Sequence, residues 1–175
     1  GVPPVLRSGG RAGDVLVITG PLGCSAAGLM LLEDPSADWD VTERDALIRS
    51  HRRPIPLVAD GLHLAEAGAT AMLDISDGLL LDADRLARAS GLRAEIDLDA
   101  IPRGAGVDAV ASRHGADPAI LAATGGEDYQ LLAAIPAGTG LEPHLTVVGR
   151  LVPGPPGVVA IRNGIDVTPA RLGWE

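Results

Sequence analysis

The chain has 175 residues, enough for one domain with a well-formed core. Hydrophobic residues make up 46% of it, which indicates a globular protein rather than a disordered one. A formal net charge of −9 argues against a nucleic-acid partner, because phosphate contacts need clustered Lys and Arg. No run is long enough to span a membrane and no signal-peptide pattern opens the chain, so we expect a cytoplasmic protein without a membrane partner.

Hydrophobic periodicity and turn residues divide the chain into alternating elements. Strands are predicted at 14–19, 70–75, 94–98, 129–135, 146–151 and 158–161, with a short one at 165–167. Helices are predicted at 24–32, 42–53, 57–67, 79–90, 107–114 and 117–123, with Thr42 as a possible cap of the second and a polar loop at 34–40 before it.

Strands alternate with helices early in the chain, and hairpins follow late. The Pro/Gly segment 153–157 and the Asn163-Gly164 pair mark the late turns. The pattern predicts an α+β fold, with a mixed sheet covered by helices.

The stretch Asp74-Ile75-Ser76-Asp77-Gly78-Leu79 follows an apolar run and precedes a helical pattern. Two carboxylates around a hydroxyl group make a compact set of hard oxygen ligands. Mg²⁺ prefers such oxygens and is often held by one or two carboxylates together with substrate phosphates. The alternative is helix capping, because Ser and Asp are favoured just before a helix. Capping explains Ser76 or Asp77, but it does not explain Asp74 on the strand side.

Two further turns are candidates for ligand contact. Gly125-Gly126-Glu127-Asp128-Tyr129 allows close backbone approach and brings two acids to the start of a strand. These acids either face a ligand at the first motif or are solvated acids of an ordinary turn. Gly20-Pro21-Leu22-Gly23 stands before a helix N-terminus, which can bind an anion. Its spacing fits neither the phosphate-binding loop nor the dinucleotide fingerprint, which favours a tight turn with close helix packing.

The remaining reactive side chains form no recognisable catalytic set. Cys24 is the single cysteine and is expected to be a small buried hydrophobe. The four histidines lack the spacing of metal ligands, and we expect them on the surface or in packing. Arg52 and Arg53 either meet a phosphate or form a solvated helix end.

Taken together, these motifs resemble the C-terminal domain of the thiamine-monophosphate kinase family, within the superfamily of aminoimidazole-ribonucleotide synthetase. The resemblance is carried by 20–23 with 26–29, His51-Arg52-Arg53-Pro54-Ile55-Pro56, 74–79, 125–129 and the ending Gly173-Trp174-Glu175. It implies a single domain over 1–175 with the C-terminal fold of that superfamily. It also implies a homodimer for the complete enzyme and the absence here of an N-terminal domain that carries further metal-binding aspartates. The lack of an initiator Met also suggests a fragment.

The resemblance implies ATP-dependent phosphorylation of thiamine monophosphate to thiamine diphosphate. By position, Asp74 and Asp77 would bind Mg²⁺ ions that bridge the nucleotide phosphates, and Ser76 would contact ATP. Glu127 would contact the thiamine moiety, and Trp174 would pack on it. Carboxylate-held Mg²⁺ would explain how an acidic chain handles two phosphorylated substrates.

Some alternatives stay open. Gln130 stands where the resemblance predicts an acid. Trp174 is either a platform for a cationic ligand or an anchor that pins the chain end to the core. Without the N-terminal domain, about half of an active site remains, and we expect the isolated chain to be inactive. The alternative functions are another ATP-using enzyme of the superfamily and a stand-alone binding module without catalysis.

Overall fold

The computed structural model of the chain describes residues 3–34 and 42–174, which form seven strands and six α-helices. The strands are β1 (Val15–Ile18), β2 (Ala71–Asp74), β3 (Arg93–Asp97), β4 (Leu131–Ile135), β5 (Thr146–Val152), β6 (Gly157–Arg162) and β7 (Ile165–Asp166). The helices are α1 (Cys24–Glu33), α2 (Arg44–Arg52), α3 (Val58–Glu66), α4 (Leu79–Ser90), α5 (Val107–Arg113) and α6 (Pro118–Thr124). The predicted loop at 34–40 lies almost entirely outside the described residues. No helix in the described part of the chain is long and apolar enough to cross a membrane.

The strands form one sheet in the order β2-β4-β1-β5-β3-β6-β7. Neighbouring strands run antiparallel except β3 and β6, which are parallel, so the predicted mixed sheet is confirmed. A hairpin of β5 with β6 is wrong, because β3 lies between them. Ala94 and Ile96 of β3 are thereby buried beside Leu151 of β5 and Ala160 of β6. The hairpin of β6 with β7 is confirmed.

Helices α4 and α6 cover one face of the sheet. Leu79, Ala83 and Leu86 form an apolar stripe along α4 and are fully buried. They belong to one core cluster with Leu132 of β4 and with residues of α6. This packing places the N-terminus of α4 beside the ends of β2 and β4, where the first motif lies.

Helices α1 and α2 pack closely against each other beside the sheet. A methyl group at Gly28 of α1 would lie 2.2 Å from the carbonyl oxygen of Leu47 in α2, so only glycine permits this approach. Thr42 is not the cap of α2, because the helix begins at Arg44 after Glu43 and no side chain caps it. The close pair brings the start of α1 next to the end of α2.

Candidate active site

The first motif and the 125–129 motif lie side by side beyond the ends of β2 and β4. The amide of Ile75 donates to the carbonyl of Gln130 at 2.7 Å, and the amide of Tyr129 donates to the carbonyl of Ile75 at 3.0 Å. The amide of Glu127 donates to the carbonyl of Ser76 at 2.8 Å. Backbone pairing thus continues past the two strands and joins the motifs into one structure.

The end of the chain lies on the same structure. The amide of Trp174 donates to the carbonyl of Asp77 at 2.9 Å. A methyl group at Gly173 would lie 2.2 Å from that carbonyl oxygen. A methyl group at Gly126 would lie 2.7 Å from the carbonyl oxygen of Ser76 and 3.2 Å from Cδ1 of Trp174. The two glycines therefore allow three segments to meet at van der Waals distance.

These segments and the α1–α2 pair enclose a cleft of about 300 Å³. Four predicted site residues line it: Ser76, Asp77, Glu127 and Trp174. A cleft of this size is at the lower end of the range for small-molecule sites. A larger groove of about 560 Å³ lies along β3, β5 and β6, but no predicted site residue lines it. We therefore take the smaller cleft as the candidate active site.

Asp74 is exposed at the end of β2 and does not line the cleft. It nevertheless belongs to the same acidic surface, as the ring of Tyr129 shows. The charge of Glu127, followed by burial, a hydrogen bond to Glu127 and the charges of Asp74 and Asp77, raises the pKa of Tyr129. The Tyr129 hydroxyl donates to Oε2 of Glu127 at 3.2 Å. Three carboxylates from the two motifs thus contribute to raising the pKa of the same phenol group.

Side chains of α4 contact the Ser76–Asp77 turn. Oδ2 of Asp82 accepts hydrogen bonds from the amides of Ser76, at 3.0 Å, and of Asp77, at 2.9 Å. Arg85 donates to Oδ1 of Asp82 at 2.8 Å and also to the carboxylate of Asp77. Burial raises the pKa of Asp82, and its hydrogen bonds with Asp77 and Arg85 oppose that effect.

The capping alternative for the first motif is wrong. Helix α4 begins after Gly78, and no side chain caps its N-terminus. Instead the amides of Ser76 and Asp77 are themselves hydrogen-bonded by Asp82. The hydroxyl of Ser76 and the carboxylates of Asp74 and Asp77 are therefore not used for capping.

Asp128 does not point the same way as Glu127. Its Oδ2 accepts from the amide of Gly23 at 2.7 Å, and its Oδ1 accepts from the amide of Ser25 at 2.9 Å. Burial raises the pKa of Asp128 to about 6, although the amides at the start of α1 lower it. The N-terminus of α1 therefore binds an anion, and that anion is a carboxylate of the chain itself.

The backbone around Asp128 has an unusual conformation. Glu127 and Tyr129 have φ angles of 68° and 53°, which non-glycine residues rarely adopt. Such residues each cost on the order of 1–3 kcal/mol and cluster at functional sites. Here they allow two consecutive acids to make different contacts. Glu127 lines the cleft, whereas Asp128 accepts hydrogen bonds from amides at the start of α1.

Sequence reasoning missed two polar residues of the cleft, Ser25 and His51. Oγ of Ser25 lies 3.0 Å from Nδ1 of His51, and this contact joins α1 to α2. The 51–56 motif contains His51, but the sequence predicts only a surface or packing position for this residue. Arg52 and Arg53 of the same motif are exposed and do not line the cleft.

Gln130 has a structural contact in place of the predicted acid. Its Oε1 accepts from the hydroxyl of Thr19 at 2.9 Å, and Oγ1 of Thr19 accepts from the amide of Leu131 at 2.9 Å. The amide side chain therefore connects the end of β1 to the start of β4.

The mixed sheet, its covering helices and the cleft at the sheet edge define a fold class. Comparison with protein-family models identifies the family within it. Residues 11–162 match the model of the family described as AIR synthase related protein, C-terminal domain, and the chain belongs to this family.

Curated relatives that it matches include thiamine-monophosphate kinases. The enzyme of Mycobacterium tuberculosis is 41% identical over 182 residues, which cover 100% of this chain and 50% of that protein. The enzyme of Methanopyrus kandleri is 39% identical over 161 residues, which cover 91% of this chain and 50% of that protein. The chain thus spans about half the length of these relatives, and the resemblance identified from the motifs is confirmed.

Among solved structures, AaThiL complexed with AMPPCP and TMP is similar to this chain. The two superpose with a TM-score of 0.83 at 37% sequence identity. The match covers 97% of this chain and 53% of the AaThiL chain. The predicted fold, the C-terminal domain of the superfamily, is therefore confirmed.

Proposed function

We propose that this chain is the C-terminal part of an ATP-dependent kinase that phosphorylates thiamine monophosphate to thiamine diphosphate. The observation that carries the proposal is the cleft, in which Ser76, Asp77, Glu127 and Trp174 come together from three separate segments. The names of the curated relatives and the AMPPCP and TMP bound to AaThiL support it. The homodimer, the cytoplasmic location and the lack of nucleic-acid or membrane partners stay predictions.

The donor set beside the cleft fits a magnesium ion. Asp74 is exposed and Asp77 is partly exposed, and a cation, the guanidinium of Arg85, already contacts Asp77. No group of three or more His, Cys, Asp and Glu residues forms a ready-made metal site in the part of the chain that the structure describes. Because Mg²⁺ is often held by one or two carboxylates together with substrate phosphates, we assign it to Asp74 and Asp77. When bound, Mg²⁺ would neutralise charge on the transferring phosphoryl oxygens.

The chain's own residues position the substrates. Phosphoryl transfer needs in-line placement and charge neutralisation more than covalent help from the protein. We assign the Ser76 hydroxyl to an ATP phosphate. The carboxylate of Glu127 and the exposed ring of Trp174 line the same cleft, and both suit the fixed positive charge of the thiazolium ring of thiamine.

Substitution of the two metal-site aspartates tests the proposal. In the full-length form of the protein, Asp74→Asn and Asp77→Asn should each lower kcat by about 10²–10³, because losing an electrostatic partner of the transition state typically costs that much. The melting temperature should change little, since neither carboxylate is buried in the core. The measurements are ADP release with thiamine monophosphate as substrate and a melting curve of each variant.

Asp108→Asn is the matched control. Asp108 is exposed, like Asp74, and pairs with an arginine, Arg103, as Asp77 pairs with Arg85, but it does not line the cleft. It should leave kcat unchanged. A lowered melting temperature with normal kcat in the Asp74 and Asp77 variants would contradict the metal assignment, and turnover of other phosphorylated substrates alone would contradict the thiamine assignment.

A further inference from the structure

Asp82 of α4 is a buried carboxylate directed at the site rather than into the sheet. It is 2% exposed, although aspartate is almost never fully buried unless it is paired. From these contacts we infer that Asp82, with Arg85, is a positioning residue that sets the Ser76–Asp77 turn in its working geometry. This inference rests on the proposed function for the role of the turn itself.

A single oxygen of Asp82 fixes the backbone of the turn. Oδ2 accepts from two successive amides, those of Ser76 and Asp77, and so determines the orientation of the peptide plane between them. The carbonyls of the same two residues accept from the amides of Glu127 and Trp174. The turn is therefore bonded on its amide side to Asp82 and on its carbonyl side to two walls of the cleft.

Arg85 extends this positioning to the side chain of Asp77. Its Nη1 donates both to Oδ1 of Asp82 and to the carboxylate of Asp77, and the Arg85 side chain is 41% exposed. Because one guanidinium contacts both acids, the Asp77 carboxylate is oriented relative to the same buried residue that orients its backbone. Groups that orient ligand residues in this way affect metal affinity and activity even though they do not touch the metal.

A second Asp–Arg pair on α4 provides a control that distinguishes a positioning role from a contribution to helix stability. Asp84 is 8% exposed and accepts from Nε of Arg88 at 2.6 Å. Like Asp82, it is a nearly buried aspartate paired with an arginine of α4, but none of its described hydrogen bonds reaches the turn. Asp84→Asn is therefore the matched control for Asp82→Asn.

Amide hydrogen exchange of this chain tests the backbone contact without reference to catalysis. In Asp82→Asn, the amides of Ser76 and Asp77 should exchange at least about ten-fold faster than in the wild type, because they lose a charged acceptor. In Asp84→Asn, the same two amides should exchange as in the wild type. Unchanged exchange of both amides in Asp82→Asn would overturn the inference.

Kinetics of the full-length form test the consequence for the site. Asp82→Asn should lower kcat about ten-fold or more and raise the Mn²⁺ concentration needed to broaden the NMR signals of the 74–77 segment. Asp84→Asn should lower the melting temperature by about as much as Asp82→Asn does, while its kcat and Mn²⁺ broadening remain at wild-type values. Equal kcat in the two variants would overturn the inference. Absence of thiamine monophosphate turnover in the wild type would instead contradict the proposed function. The hydrogen-exchange result alone would then decide whether Asp82 positions the turn.

Arg85→Gln provides a second test if Asp82→Asn does not fold. Arg85 is only partly buried, so its replacement should be tolerated. We expect kcat to fall several-fold, because the Asp77 carboxylate loses its orientation, while the exchange of the Ser76 and Asp77 amides stays at the wild-type rate. Arg88→Gln, the matched control on the same helix, should keep wild-type kcat. A kcat for Arg85→Gln equal to that of Arg88→Gln would exclude the role of Arg85.

Discussion

Trp174 is a large aromatic side chain that the protein leaves outside its core. The chain has no Phe and only two Trp, yet 57% of Trp174 is exposed, while its neighbour Leu172 packs against the main core cluster. The side chain of Trp174 is therefore not buried in the core, and it is the backbone amide of Trp174 that ties this segment to Asp77. Its ring lines both the candidate cleft and an adjoining cavity of about 460 Å³ between α1 and α6. Such an exposed aromatic face suits a ligand.

Truncation of Trp174 should affect one substrate and not the other. In the full-length form, Trp174→Ala should raise KM for thiamine monophosphate several-fold, because cation–π contact with a thiazolium ring is worth about 0.5–2 kcal/mol. KM for ATP should stay nearly unchanged. Steady-state kinetics with each substrate varied in turn provides the measurement.

Trp174→Phe is the control for this prediction, because it keeps an aromatic face and should recover most of the lost affinity. Equal increases in KM for both substrates, together with a large drop in melting temperature, would show that Trp174 has a structural role.

The sequence predicted individual site residues where a local pattern marked them. The spacing of Asp74 and Asp77 indicated hard oxygen ligands, and the resemblance added Glu127 and Trp174. The sequence did not indicate that Asp82 would be buried against the Ser76–Asp77 turn, because an aspartate within a helical pattern looks like an ordinary surface acid. Nor did it place His51 in the cleft, since that position depends on the tertiary packing of α2 against α1.

At the scale of elements, helix α1 receives its N-terminal cap from a distant loop. Gly23 precedes the helix and has no side chain to offer, so the amides of Gly23 and Ser25 donate to Asp128 instead. The cap therefore connects α1 to the loop that carries Glu127. Changes at Asp128 should affect the helix and the cleft wall together.

The protonation of Asp128 should make stability depend on pH. Burial raises its pKa from the ordinary value of 3.8 to about 6 in the folded chain. Its contribution to stability is therefore fully present below about pH 3.8 and is lost as pH rises through about 6. Relative to Asp128→Asn, which cannot titrate, the free energy of unfolding of the wild type should fall by on the order of 2 kcal/mol between pH 4 and pH 7.

Urea denaturation of both proteins at several pH values measures this difference. If the difference in the free energy of unfolding between the wild type and Asp128→Asn does not vary with pH, Asp128 keeps its usual pKa. A gap that widens in favour of the wild type as pH rises would mean that the helix amides lower the pKa more than burial raises it.

Local periodicity predicted the elements well, whereas it did not predict their order in the sheet. The strands and helices were predicted to within a few residues, because turn residues and apolar spacing act over short distances. The placement of β3 between β5 and β6 depends on pairing between distant segments. A Pro/Gly segment such as 153–157 permits either a hairpin or a crossover, so the sequence alone did not distinguish them.

At the scale of the whole molecule, the chain forms one wall of a site that we propose to be larger. It spans about half the length of its thiamine-monophosphate kinase relatives. The carboxylates that we assign to Mg²⁺ lie at the edge of the sheet, and Asp74 is exposed there. This arrangement leaves room for further ligands from substrates or from another segment.

The chain should therefore have no useful kinase activity by itself. Purified as these 175 residues, it should release no more ADP from ATP and thiamine monophosphate than a blank without enzyme. The full-length form, assayed in parallel at the same concentration, should be active. Turnover by the isolated chain well above the blank would show that its two aspartates and the substrate phosphates suffice.

The cleft is assembled from residues spread over almost the entire length of the chain. Ser25 and His51 come from its first third, and Trp174 bonds to the Asp77 turn from the far end. The hydrogen bond between Asp128 and Gly23 alone spans 105 positions. The complete cleft is therefore available only after Trp174 has emerged from the ribosome, so a ligand that needs the whole cleft cannot stabilise a shorter nascent chain.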